Sequence, residues 1–568
     1  MDMHAVTTLI LADFTIDPLA DRLNNRPGLP GFQARVGPFD QVMPLLLDAQ
    51  HPVWQPQPDL LILWTRPERA VPEYGRFRDG LEIGEQAVLD GVNRFADLIR
   101  QAAGRAGMIF LPSWVRPPFE RGLGVLDMRP GLGIGQLVYQ MNLHLSRALQ
   151  DVANVRILDT QRWQLQVGHN GFNPKLWYMG KMAFTPAIHD VASAEIAAGL
   201  LAQAGLSRKI ILLDLDDTLW GGIVGEVGWE HLNLGGHQAA GESFVDFQRA
   251  LKRLKNRGIL LGILSRNDES VAMEALTRHP EMILRPDDFV GWRINWSDKA
   301  SNLASLLEEV NLLPPAAVFI DDQPAERARV REAFPEVLVP DWPRDKLLYV
   351  QALESLACFD PAQLTDEDLH RTESYVAERK RQETRQTVTS MTEWLAALEL
   401  RIQVERVQPV NLARSAQLLN KTNQMNLRTR RLLEPDFMQW ASDPGHACFV
   451  FRVMDRFGDY GLTGIASLAL ARQDNRSVAQ VVDFVLSCRV MGRGVEKTML
   501  HVLVQEALDL GAELLEAIPL PTAKNGPCRK YFQTESGLHA QPAEAQDRYT
   551  WDTRNPYPLP EHVTLEQN

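Results

Sequence analysis

Asp214-Leu215-Asp216-Asp217-Thr218 follows the apolar run Ile210–Leu213 without a break. A carboxylate at the C-terminal edge of a strand, with a second two residues on, can hold a hard cation through oxygen. It can also attack a phosphoryl group whose charge that cation neutralises. Two later apolar runs end the same way: Leu260–Leu264 runs into Ser265-Arg266-Asn267, and Val318–Ile320 into Asp321-Asp322. Lys299 lies between them, in Trp296-Ser297-Asp298-Lys299. Taken singly, each element has a bland reading as a polar turn or a helix cap. All four in this order, three of them behind strands, favour a site, because open α/β sheets bind ligands outside the carboxyl ends of their strands.

This order of motifs resembles the haloacid-dehalogenase-like (HAD) phosphotransferases. The resemblance implies a nucleophile at Asp214, which would become an aspartyl phosphate, and a general acid/base at Asp216, whose backbone carbonyl would also face Mg²⁺. It implies that Thr218 supports the loop, that Ser265 donates to the phosphoryl oxygens beside a substrate-binding Asn267, and that Lys299 neutralises charge next to Asp214. Asp321 and Asp322 would complete a metal site with Asp214 and Asp216, without the sequence deciding which of the pair ligates directly. The second Asp of the motif suits hydrolysis, since something must protonate the leaving oxygen.

A closer resemblance is carried by Leu219-Trp220-Gly221-Gly222-Ile223-Val224-Gly225-Glu226, by Phe319-Ile320-Asp321-Asp322-Gln323-Pro324-Ala325-Glu326-Arg327, by Asn420-Lys421-Thr422-Asn423-Gln424-Met425-Asn426 and by Ser487-Cys488-Arg489-Val490-Met491-Gly492-Arg493-Gly494-Val495-Glu496. These segments are similar to those of FkbH-like proteins. Membership would imply loading of a glyceryl unit from 1,3-bisphosphoglycerate onto an acyl carrier protein, with loss of the remaining phosphate, in polyketide-type biosynthesis. The chain departs from the family at Gln323, where Asn is usual, and at Arg266, where Lys is common. Neither change removes a carboxylate or the phosphoryl-donor Ser265. The competing expectations are a Mg²⁺-dependent phosphatase for a small phosphorylated metabolite and a non-catalytic docking module.

The C-terminal third offers a second reactive group. Arg489, Gly492, Arg493 and Gly494 follow the strand candidate Val481–Leu486 and open a helix with Val495, Met499, Val502, Leu503 and Leu508 on one face. Amides at a helix start attract anions, and the pattern resembles the pyrophosphate loop of the GNAT acyltransferase fold, so a carrier's phosphopantetheine phosphate is expected there. Cys488 stands just before this loop among basic groups, which favours the thiolate, and is the candidate for a thioester intermediate. His539 and Pro521-Thr522-Ala523-Lys524-Asn525 are placed near the same site without a readable role.

Positioning these groups takes three α/β domains, each with a central mostly parallel or mixed sheet. Residues 1–203 alternate short strands (59–64, 108–111, 155–158) with a helix over 137–149. They resemble an SGNH-hydrolase-like region, but Phe14 stands where the nucleophile belongs in Ala12-Asp13-Phe14-Thr15, so a non-catalytic role is expected. His169-Asn170-Gly171-Phe172-Asn173 reads either as the lining of a pocket or as a polar loop with Asn and Gly in turn positions, and Gly131–Gly135 as a loop. Residues 204–362 hold the HAD-like series and 363–398 a charged, solvated connecting helix. Residues 399–568 form the GNAT-like part, with strands over 401–404, 448–453, 464–470 and 481–486.

The 568 residues exceed one domain. The formal charge of −13, from 59 basic and 72 acidic side chains, argues against nucleic acid or an anionic membrane as the main partner. Four scattered cysteines form no C-x-x-C pair. Without a basic leader or an apolar run of about 20 residues, a cytoplasmic protein is expected.

Overall fold

The computed structural model describes residues 5–28, 30–236, 238–361, 369, 371–387, 390–422, 424–432, 434–473, 476–522, 525–541 and 547–567. Two compact units divide the chain: Met1–Lys209 with Gln351–Leu364, and Ile210–Val350 with Thr365–Asn568.

The first unit is built on five strands: β1 (Val6–Ala12), β2 (Phe32–Val36), β3 (Leu60–Trp64), β4 (Met108–Pro112) and β5 (Val155–Leu158). They lie parallel in the order β2-β1-β3-β4-β5. Parallel strands need crossovers, and here helices cover both faces, so the central strand β3 (Leu-Leu-Ile-Leu-Trp) is apolar and buried on every residue rather than alternating. Leu9, Leu11, Leu61 and Leu63 join one core with the Glu85–Ala102 and Ile134–Ala148 helices. Ile10, Ala12, Ile62 and Trp64 join the other, with the Pro186–Gln203 helix.

The second unit holds two sheets. The first has four parallel strands, β6 (Ile210–Leu213), β7 (Leu260–Ser265), β8 (Gly291–Ile294) and β9 (Ala317–Ile320), in the order β8-β7-β6-β9. Helices Ala239–Asn256, Glu269–Arg278, Lys299–Glu309 and Pro324–Ala333 connect and flank them. The second sheet is mixed and contains β10 (Leu400–Arg406), β11 (Met425–Asn426), β12 (His446–Asp455), β13 (Gly458–Gln473), β14 (Arg476–Leu486), β15 (Leu514–Ala517), β16 (His539–Gln541), β17 (Arg548–Asp552) and β18 (Val563–Gln567). Its order is β16-β17-β15-β14-β13-β12-β10-β18, with β11 paired to β14.

The connection between these sheets differs from the solvated helix expected of it. Val376, Ala377 and Arg381 of the Arg371–Thr387 helix are buried. Arg379 donates to Phe289 O (3.1 Å) on the four-stranded side, and Arg381 clasps Asp455 (2.6 and 2.8 Å) on the mixed-sheet side. Its charges are consumed by partners on both flanks, which charge alternation alone does not reveal.

Candidate active site

Strand register assembles the carboxylates. Leu213 pairs with Ile320 across β6 and β9, so the next residue on each strand, Asp214 and Asp321, leaves the sheet at the same edge. Asp214 N donates to Ile320 O at 3.1 Å, closing that edge. β7 lies on the other side of β6 and ends in Ser265, which is buried. From β8 the chain turns through Asn295, whose N donates to Ser265 O, and reaches Lys299 at the first position of its helix.

Lys299 Nζ lies 2.9 Å from Asp214 Oδ1 and 2.6 Å from Asp321 Oδ2, all three side chains being almost fully buried. Burial opposes the ammonium, but Asp214 and Asp321 outweigh it and hold the lysine pKa above its ordinary value. Burial, with the neighbouring Asp214 charge, raises Asp321 to about 6. Burial likewise raises Asp322, against the Lys346 charge. Arg327 Nη1 donates to the carbonyls of Asp321 (2.7 Å) and Asp322 (2.8 Å) and pins the acidic loop. Thr218 Oγ1 accepts from Asp322 N at 3.3 Å, which ties the first motif to the last.

Asp214, Asp321 and Asp322 each offer an oxygen within 4.8 Å of the others, an arrangement that fits one cation. Asp322 Oδ1 is buried and lacks a hydrogen-bond partner, and an orphaned buried carboxylate oxygen is costly unless something occupies it. This donor set of hard oxygens suits Mg²⁺. The Asp216 side chain is spent differently: its carboxylate accepts from Trp220 Nε1 (2.9 Å), Val224 N (3.1 Å) and Asn267 Nδ2 (2.8 Å). Burial nevertheless keeps its pKa raised, as a proton donor requires. Asn267, expected to bind substrate, thus has its amide nitrogen on Asp216. Arg266 pairs with Glu326 at 3.0 Å.

Sequence reasoning missed Trp220 and Arg327 as supports, although both stand inside the quoted motifs. It also missed Lys346, whose Nζ donates to Asp217 O at 2.6 Å and lies 3.6 Å from Asp322 Oδ2. No periodic or motif signal marks Lys346 in the segment after the sheet.

The C-terminal candidates are rearranged. Cys488 is exposed and opens a short turn after β14, with Arg489 Nε donating to Ser487 Oγ (3.4 Å). Cys448 and Cys528 are buried, and burial pushes Cys528 and the half-buried Cys358 up to about 12. The expected phosphate cradle is capped from within: Gly492 N donates to Glu496 Oε1 at 2.8 Å. Arg493 turns its guanidinium to Tyr460, to Glu378 of the connecting helix and to the Trp394 ring. A Cβ on Gly494 would come within 2.8 Å of His562, so this glycine answers a packing demand.

Two other motifs meet. β14 and β15 are paired only from Val478↔Leu514 to Gln480↔Glu516. Beyond that point Met425 and Asn426 pair with Leu486 and Val485 of β14. Asn525 Nδ2 donates to Asn426 O (3.1 Å) and Leu520 O (2.7 Å), locking the inserted strand. Asn423, Ala523 and Lys524 of these motifs lie outside the described residues. His539 is exposed on β16 and stacks on Trp551.

In the first unit Asp13 directly follows β1 and accepts from Arg66 N (3.0 Å) and Nε (3.1 Å). Phe14 is buried against Trp64 and Phe184. Asn173, the last residue of the polar segment, caps a helix through Lys175 N.

No protein-family model matches the chain, and no curated protein matches it. Among solved structures it is similar to the N-terminal part of BF1531 from Bacteroides fragilis, which contains a phosphatase domain and was crystallised with Mg. That likeness has 25% identity and a TM-score of 0.58, and covers 63% of this chain and 95% of that one. A spermidine N-acetyltransferase from Vibrio cholerae, solved with CoA and spermine, is 15% identical over 28% of this chain and 97% of its own, with a TM-score of 0.21. The Escherichia coli ribosomal-protein-S18-alanine N-acetyltransferase gives 11%, 26%, 90% and 0.19 in the same terms.

Proposed function

We propose that the chain is a Mg²⁺-dependent phosphotransferase of the HAD type that works on an acyl chain. In this reading it takes a glyceryl unit from 1,3-bisphosphoglycerate, removes the phosphate and passes the unit to an acyl carrier protein. The observation that carries the first part is the buried Asp214–Lys299–Asp321 cluster beside an orphaned Asp322 oxygen. The likeness to a Mg-complexed phosphatase domain supports it. The acyl part rests on the resemblance to FkbH-like proteins and on Cys488, an exposed thiol beside Arg489.

The Cys488 thiolate attacks the acyl carbon, the C–O bond to phosphate breaks, and inorganic phosphate leaves. A carboxylate oxygen of Asp214 then attacks the ester phosphorus while Asp216 gives its proton to the departing glyceryl oxygen. Water, losing a proton to Asp216, displaces phosphate from Asp214. The carrier's pantetheine thiolate finally attacks the thioester carbon and releases Cys488. Lys299, 2.9 Å from Asp214 Oδ1, keeps that carboxylate aimed throughout. Mg²⁺ on Asp214, Asp321 and Asp322 would neutralise phosphoryl charge. The first unit is non-catalytic in this scheme, because Phe14 fills the nucleophile position of an SGNH-like site.

Intact-mass analysis after incubation with 1,3-bisphosphoglycerate tests the scheme. A hydroxylamine-labile glyceryl adduct is expected on the wild type and none on Cys488→Ala, while Asp214→Asn should stall with the phosphate still attached. One observation favours a second reading: Glu496 occupies the amide where a carrier's phosphate was expected. A plain phosphatase for a small phosphorylated metabolite would keep full turnover in Cys488→Ala and form no adduct.

A further inference from the structure

Asp217 adopts φ +54°, a left-handed conformation that only Asp, Asn and Gly take readily, inside the turn that separates Asp216 from Thr218. Such a turn sends its neighbours in different directions. Asp216 goes to Trp220, Val224 and Asn267, and Thr218 to the amide of Asp322. The orientation of the Asp217 peptide therefore fixes both ends of the first motif. Two donors from one distant segment converge on its carbonyl oxygen: Lys346 Nζ at 2.6 Å and Tyr349 OH at 3.1 Å. The Lys346 ammonium also lies over the Tyr349 ring, and Tyr349 is fully buried, so the segment is not free to swing away.

Lys346 has a second neighbour. Its Nζ stands 3.6 Å from Asp322 Oδ2, whereas Lys299 serves Asp214 and Asp321. Four carboxylates are thus shared between two ammonium groups, the fourth being that of Asp217, whose Oδ1 lies 3.9 Å from Lys346 Nζ. A cation that binds Asp322 must do so against the field of Lys346.

We propose that Lys346 is a positioning residue of the phosphotransfer site: it clamps the Asp217 carbonyl so that Asp216 and Thr218 keep their directions, and it weakens the hold of Asp322 on the metal. This inference rests on the metal-dependent phosphotransferase reading and adds to it a lysine that none of the four signature elements contains. The two parts of the role have opposite signs in experiment, which a merely structural lysine cannot reproduce.

The test uses the full chain, with isothermal titration of Mg²⁺ for the metal and p-nitrophenyl phosphate turnover for the chemistry. Lys346→Met should bind Mg²⁺ about three- to tenfold more tightly, because a like charge beside a ligand is gone. It should turn over about ten- to a hundredfold more slowly at saturating Mg²⁺, as is usual when a group that orients catalytic residues is lost. The affinity gain should shrink in high salt. Lys346→Arg should restore the wild-type Mg²⁺ affinity. Tyr349→Phe should slow turnover and leave the Mg²⁺ affinity unchanged. A Lys346→Met protein that matches wild type in both measurements, or one that loses Mg²⁺ affinity together with thermal stability, overturns the role. A wild-type chain that binds no Mg²⁺ overturns the underlying reading instead.

Discussion

Lys299 shows what the site demands of a single side chain. It is buried between two carboxylates, and breaking a buried ion pair from one side leaves charge with no compensation. Lys299→Met is therefore expected to destabilise the second unit by about 3–5 kcal/mol, read as a lower midpoint in urea. Saturating Mg²⁺ should recover part of this loss, since a ligand held only by the folded state stabilises it. An unchanged midpoint without Mg²⁺ would mean that Asp214 and Asp321 do not face Lys299 in solution. At this scale the cluster was legible because Asp214 and Asp321 directly follow apolar strands and Ser265 ends one. The roles around it were less so. Asn267 was expected to touch substrate, and its bond to Asp216 was not foreseen. Lys346 is 129 residues from the carbonyl it clamps, a separation no local pattern encodes.

At the scale of elements, the Arg371–Thr387 helix joins the four-stranded sheet to the mixed sheet, and its key bond is buried. The side chains of Arg381 and Asp455 are 3% and 0% exposed, and Arg381 also stacks over Tyr460 at 4.2 Å. Arg381→Ala should cost about 3–5 kcal/mol in chemical denaturation. Because each partner stranded alone carries the penalty, Arg381→Met with Asp455→Asn should cost less than the sum of the two single changes. Additive costs would show that the pair does not act as a unit. The sequence predicted a connecting helix here but not its burial, since alternating charge looks the same whether water or arginine-binding carboxylates lie opposite. The pairing of β11 into the edge of β14 was equally hidden. Two residues are too few to show a strand period, and only Asn525, nearly a hundred residues on, explains the asparagine-rich segment it holds.

At the scale of the whole molecule, two separate units with their own cores should respond separately to acid, and the first carries two buried groups with opposing effects. His189 is fully buried with both ring nitrogens unpartnered, and burial, with Arg22 nearby, lowers its pKa from 6.5 to about 4. Its folded pKa lies below its unfolded one, so the unfolded chain takes up the proton first and stability is lost as pH falls from about 6.5 to about 4. Asp13 runs the other way: burial, against Arg66, raises it from 3.8 to about 6. The stability it contributes is full below its unfolded pKa and is lost as pH rises through about 6. Each effect is worth about 3 kcal/mol at most, so in the wild type they largely cancel between pH 4 and 6. Single changes should uncover them. Relative to wild type, His189→Leu should gain stability on acidification from pH 6.5 to 4, and Asp13→Asn should lose it over the same interval. At about 2–4 °C per kcal/mol, the calorimetric transition of the first unit resolves both. Parallel pH profiles for the three proteins would place Asp13 and His189 in water rather than in the buried positions the structure gives them.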